Sequence, residues 1–209
     1  MGWDRALFRW INGLAGHFPL LDRIVIGIAS DYFIIVVMCL VLVVMWFGTR
    51  DQERRRDNQL AVIAAMSSLG LAAAMVALIN LFFVNNNVLA GTALANLFNR
   101  QRPFEVEPGA TLLFYRPTDP SFPSNMAAVV FGLAIAVWLK NRKAGSVLLG
   151  MACLAGFARV YVGIHYPGDI LGGAFIGLMG AALAFALIKL LWPVKRLLFW
   201  VLERLYLAG

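Results

Sequence analysis

Residues 157–169, FARVYVGIHYPGD, place Arg159, His165 and Asp169 inside one of the most apolar parts of the chain. A charge within a bilayer costs a few kcal/mol on insertion scales, so such residues are read first for chemistry. Histidine is a candidate nucleophile, and a carboxylate can hold its ring in the reactive tautomer. Arginine offers a planar fork of donors that matches phosphate oxygens. Two other segments extend the set. NRQRPFE carries Arg100 and Arg102, and SFPSNM carries Ser124, Asn125 and Met126. Pro123-Ser124 opens a helix with no acidic residue in its first turn, so its free N–H groups and dipole form an anion site. Two guanidiniums, a helix N-terminus and an oriented histidine together describe phosphoryl transfer. No cluster of carboxylates accompanies them to hold a catalytic metal, and no metal or cofactor is expected.

The elements that must position these residues are membrane helices. Of 209 residues, 61% are hydrophobic and 14% charged, against about 45–50% and about 25% in an ordinary soluble domain. The expected fold is therefore all-α, a polytopic helical bundle forming one domain over 1–209. Apolar runs at 24–47, 59–84, 124–139, 144–163 and 170–192 approach the ~20 residues needed to cross a bilayer, which gives about five transmembrane helices. The run 88–98 is too short to cross and is read as a surface or re-entrant helix. Residues 3–18 set Trp3, Leu7, Trp10, Ile11 and Leu14 at helical spacing against Asp4, Arg5 and Arg9, an interfacial amphipathic helix with tryptophan anchors. Residues 194–209 form a second basic amphipathic stretch, and 49–58 a charged loop.

With five spans, Arg50/Arg54/Arg55/Arg56, Lys140/Arg142/Lys143 and Lys195/Arg196 fall on one side, which the positive-inside rule makes cytoplasmic. RQRPF, SFPSN and GIHYPGD then converge on the external face. The net charge of +7 is assigned to topology and lipid headgroups rather than to nucleic acid. Asp31, inside the first span, is either a buried partner for an arginine or an interfacial residue. Glu105, Glu107 and Asp119 read as solvated loop charges. Gly173 and Gly177 fit close helix packing.

Arg102-Pro103, Pro123-Ser124 and the Arg-x5-His-x3-Asp spacing of Arg159, His165 and Asp169 resemble the three signatures of the type 2 phosphatidic acid phosphatase superfamily. Within it the chain is most similar to the bacitracin-resistance type of undecaprenyl-diphosphate phosphatase, through INGLAGHFPLLDRI, RPF, SFPS, LKNRKAG and GFARVYVGIHYPGDILGG. The resemblance covers nearly the whole chain. It implies a metal-independent phosphatase of a bacterial plasma membrane, acting at its external face on a polyisoprenyl or glycerolipid phosphate. His165 would form a phosphohistidine, Asp169 would orient it, and Arg102, Arg159, Ser124 and Asn125 would hold phosphate oxygens.

Two positions depart from the pattern. Ala95 stands where the first signature usually has lysine, and Arg100 is the expected substitute charge. Met126 stands where the second signature ends in the histidine that protonates the leaving group, and methionine has no proton to give. A lipid monophosphate leaving from a diphosphate has a second pKa of about 6 and can depart unprotonated. Met126 therefore points to a diphosphate substrate; the alternatives are a phosphatidate or phosphatidylglycerophosphate phosphatase, or a catalytically impaired lipid-phosphate binding or transport protein.

Overall fold

Local capping chemistry divides the apolar sequence into helices. The computed structural model describes residues 2–191, except 87 and 89, together with 200 and 204. All regular structure among them is helical: α1 (Gly2–Asn12), α2 (Pro19–Ala29), α3 (Phe33–Phe47), α4 (Gln52–Ile79), α5 (Ala93–Phe98), α6 (Pro103–Val106), α7 (Asn125–Lys140), α8 (Arg142–Tyr161) and α9 (Pro167–Leu190). The basic stretch expected over 194–209 lies outside the described residues, apart from Trp200 and Arg204.

Three features differ from the expected layout. The charged loop at 49–58 is mostly the start of α4, because the Asp51 carboxylate accepts from the Arg54 N–H at 2.8 Å and caps the helix. The far end of α4 widens into a π-helical segment, Asn80–Asn85. The first expected span is broken, with α2 and α3 meeting at 61° across Ser30, Asp31 and Tyr32. Among the described residues, three helices are long and apolar enough to cross a bilayer, Gln52–Asn85, Arg142–Tyr161 and Pro167–Leu190, or four if the bent pair counts as one. The remaining expected span, α7, has 16 residues, about 24 Å of helix. It is the central helix, enclosed by α4, α8 and α9, and most of its residues are buried in protein rather than lipid.

Small residues let α7 and α9 meet backbone to backbone. A Cβ on Gly177 would stand 2.6 Å from both Ala128 O and Gly132 N, and one on Gly173 would stand 2.4 Å from Ser124 O. This is the close approach that small residues one turn apart permit in membrane helices. The contact sets the register at the polar end, where Ser124 N–H donates to the Asp169 carbonyl at 3.1 Å. Two apolar clusters flank this axis. One gathers Met38, Leu42, Val130, Leu133 and Leu148. The other gathers Phe8, Ile11, Val25, Tyr161, Ile164 and Tyr166 beneath α1. Helix α1 exposes Trp3, Leu7 and Trp10, with Leu14 exposed in the turn that follows, but buries Asp4 completely, so the expected polar face is turned partly into the protein.

Because the atoms facing Gly177 are backbone, they cannot move aside cheaply. Gly177→Ala should lower stability by ~1–3 kcal/mol, read as a lower thermal midpoint in detergent. Gly70→Ala, on the same type of helix with open space around it, is the control and should not be destabilised. Equal midpoints for the two variants would contradict the close-packing account.

Candidate active site

The turn between α8 and α9 carries His165, which is 4% exposed. Its Nδ1 lies 2.9 Å from the Ser121 carbonyl oxygen. A carbonyl only accepts, so Nδ1 bears the proton and Nε2 holds the lone pair. Nε2 in turn lies 3.3 Å from Arg102 Nη1. Burial, joined by the charges of Arg102 and Arg159, holds the His165 ring below the usual imidazole range against the opposing effect of Asp169. A neutral ring whose Nε2 keeps its lone pair is the form that can attack phosphorus.

Asp169 does not bond to His165 as the sequence reading expects. Their closest approach, Nδ1 to Oδ2, is 3.7 Å, beyond hydrogen-bond range. The carboxylate is fully buried and already engaged. Oδ2 accepts from Ser121 Oγ at 2.5 Å and from Tyr166 N–H at 2.8 Å, while Oδ1 accepts from Arg100 Nη1 at 2.9 Å. Ser121 thus connects the two, with its hydroxyl on Asp169 and its carbonyl on His165.

Arg102 precedes α6 and is held from several directions. Its Nε donates to the Asp119 carbonyl at 2.8 Å, Nη2 to the Asp119 carboxylate at 2.9 Å, and Nη1 to the Ile164 carbonyl at 2.9 Å. Arg159, near the end of α8, pairs with Asp31 at the break between α2 and α3, and Tyr115 donates to the other Asp31 oxygen at 2.8 Å. Asp31 is thus an arginine's partner, as one of the two sequence readings has it, but a half-exposed one rather than a buried one. The Arg159 Nε is buried with no hydrogen-bond partner.

These groups share a cavity of about 300 Å³, whose walls include His165, Arg102, Arg159, Asn125, Met126, Asp31 and Asp119. Ser124 does not line it. Its hydroxyl is fully buried and accepts from the Ala127 N–H at 3.4 Å as the α7 cap, so the α7 start presents Asn125 and Met126 instead. Arg100 does not line it either; it lies behind Asp169. Glu107 is not a solvated loop charge, being buried against Arg5, Arg9 and Tyr166. These bonds outweigh its burial and hold its carboxyl below the usual range. Ser121 sits in the quoted SFPSN segment, but a backbone acceptor leaves no trace in residue type. Tyr115 carries no signal of its own in the sequence, and Asp119, read there as a solvated loop charge, is exposed but pairs with Arg102.

The family model of the PAP2 superfamily matches residues 70–193, a stretch that includes Arg102, Ser124, Arg159, His165 and Asp169. The chain belongs to the PAP2 superfamily. It is 30% identical over 176 residues to the putative undecaprenyl-diphosphatase YbjG of Escherichia coli, covering 84% of this chain and 77% of that protein. It is 29% identical over 187 residues to the undecaprenyl-diphosphatase BcrC of Bacillus subtilis, covering 90% and 85%. The fold is that of the Aquifex aeolicus LpxE crystal structure, with a TM-score of 0.62 at 24% identity over 88% of this chain and 95% of that one. A Bacillus subtilis PAP2-type phosphatidylglycerolphosphate phosphatase superposes with a TM-score of 0.54 at 21% identity, covering 90% and 85%. In this PAP2 member the PS segment meets the Arg-x5-His-x3-Asp signature through Ser121 and Ser124 on Asp169, and Ser121 stands between Asp169 and His165.

The lowered His165 pKa gives a pH expectation. A ring held below the ordinary value of 6.5 keeps its lone pair to lower pH than a free imidazole, so a reaction that used His165 as nucleophile would lose rate only below that value. The acid limb of kcat/KM for phosphate release should therefore lie below pH 6.5. A limb at or above that value would show that His165 is not held neutral.

Proposed function

We propose that this membrane phosphatase removes the terminal phosphate of undecaprenyl diphosphate through a phosphohistidine on His165, at the external face of a bacterial plasma membrane. The observation that carries the reading is the His165 ring, with Nδ1–H engaged by the Ser121 carbonyl and Nε2 turned toward a cavity flanked by two guanidiniums. Nε2 attacks the terminal phosphorus. The bond from that phosphorus to the bridging oxygen breaks, and the electron pair leaves with the lipid monophosphate. Arg102 and Arg159 meet the non-bridging oxygens, where charge builds up. Water then attacks the phosphohistidine, the P–N bond breaks with its pair returning to Nε2, and inorganic phosphate carries away the water's oxygen and protons.

The choice of substrate is supported by Met126 on the cavity wall and by the likeness to two undecaprenyl-diphosphatases. A general acid is worth ~10²–10⁴-fold where a poor leaving group must be protonated. A lipid phosphate, with its second pKa about 6, needs little of that help. The external placement is supported by charge. Arg54 and Lys140 border one hollow at the α3–α4 and α7–α8 turns, joined by an Asn141–Asn58 hydrogen bond of 3.1 Å. That gathers basic residues at the turns away from the cavity, as the positive-inside rule asks of a cytoplasmic side.

Restoring an acid should help substrates unequally. Met126→His should raise hydrolysis of a lipid monophosphate, whose alkoxide must be protonated, by up to ~10²–10⁴-fold. Undecaprenyl diphosphate should gain far less. Phosphate release on both substrates decides it. Large equal gains would mark a disabled enzyme, and no release by either protein would favour a binding protein.

A further inference from the structure

The mechanism above makes no use of Arg100 or Asp4, yet both are tied to the catalytic turn. Arg100 Nη1 donates to Asp169 Oδ1 at 2.9 Å, and Nη2 donates to Asp4 Oδ2 at 2.6 Å. The guanidinium carbon lies over the Tyr166 ring, 3.8 Å from its centre. Asp4 reaches this point from α1 and uses its other oxygen to accept from the Gly168 N–H in the first turn of α9, at 2.7 Å. A Cβ on Gly168 would stand 3.1 Å from Asp4 Oδ2, so the absence of a side chain there admits the carboxylate. Both Asp4 and Asp169 are fully buried.

We propose that Arg100, backed by Asp4, is a positioning residue for the nucleophile: it engages the Asp169 carboxylate from behind, leaving the His165 Nδ1–H to the Ser121 carbonyl and Nε2 open to the cavity. This rests on reading His165 as the nucleophile. The charged groups facing the ring are Arg102 at 3.3 Å, Asp169 at 3.7 Å, and Arg159 across the cavity; Asp119 and Asp31 are paired with the two arginines. Of these, Asp169 alone can draw a second proton onto His165 at short range. With Arg100 in place its oxygens are met by a cation, a hydroxyl and an amide. Without Arg100 a buried carboxylate loses its cation, and the imidazole 3.7 Å away becomes the nearest group able to replace it. A protonated ring has no lone pair with which to attack.

The chain has two histidines, and His17 is exposed in the turn after α1, so isotope-labelled histidine NMR of the full chain in detergent reads both, with His17 as internal reference. In the wild type the His165 ring should be neutral with its proton on Nδ1 near neutral pH. Arg100→Met should move the His165 titration and the acid limb of kcat/KM up by about one pH unit or more, leaving His17 in place. Turnover at mildly acidic pH should then fall about tenfold with KM little changed, because Arg100 is off the cavity wall. Arg100→Lys should restore much of the wild-type profile. The double variant Asp4→Asn/Arg100→Met removes one charge of each sign, keeps the buried balance if the single variant fails to fold, and should show the same shift. An unchanged His165 titration and tautomer in these variants would overturn the proposal. So would a raised KM at constant pH limb, which would make Arg100 a substrate grip. If the spectra shift as described while the wild type releases no phosphate, the positioning role stands and the functional reading falls.

Discussion

Asp169 has no exposed surface, and a carboxylate in that position must be met on both oxygens because an unpaired buried charge is strongly destabilising. Much of the polar end follows from that constraint. Ser121 Oγ, Tyr166 N–H and Arg100 converge on its side chain, and Ser124 N–H takes its backbone carbonyl. Each of these partners belongs to a different requirement. Ser121 brings the carbonyl that fixes the His165 tautomer, Ser124 starts α7, and Tyr166 starts α9. Arg100 draws in Asp4, and with it the whole of α1. The close α7–α9 packing at Gly173 and Gly177 makes this convergence possible by bringing the two helix starts together.

The cavity combines cations and carboxylates. Arg102 is oriented by Asp119, and Arg159 by Asp31. On the proposed function, an arriving phosphate would meet guanidiniums whose orientation is already fixed, so less order would have to be imposed on binding. The break between α2 and α3 has a purpose in this arrangement, because a straight helix would not turn Asp31 out of the apolar run toward Arg159. Met126 fits the same economy of means. A site that expels a phosphate monoanion or dianion can do without the proton donor that an alkoxide would demand.

Much of this was legible in residue types. Long apolar runs declare helices, and Arg102, Arg159 and His165 stand out because charge and imidazole are expensive there; the structure brings those three to one cavity. The break at Ser30–Tyr32 was hidden because apolar residues continue on both sides of it. Asp4 was assigned to a polar face because amphipathic spacing says nothing of a partner 96 residues away. The role of Ser121 as acceptor belongs to its backbone, which no side chain advertises. Ser124 was read as a phosphate ligand when its hydroxyl serves the helix cap. Triad logic and the Arg-x5-His-x3-Asp signature imply that Asp169 holds the His165 ring itself, but at the α9 start Asp169 turns back onto Tyr166 N–H and reaches the ring only through Ser121.

The central claim is that His165 Nε2 bonds covalently to phosphorus during turnover. Stereochemistry tests it directly. Undecaprenyl diphosphate carrying a terminal thiophosphate made chiral with one heavy oxygen isotope would be hydrolysed in water enriched in another, and the configuration of the released thiophosphate determined. Two in-line displacements, one by His165 and one by water, invert twice and give net retention. Retention in the wild type, with loss of turnover in His165→Ala, is the predicted result. Inversion would mean that water attacks the diphosphate in a single step, and the phosphohistidine account would be wrong.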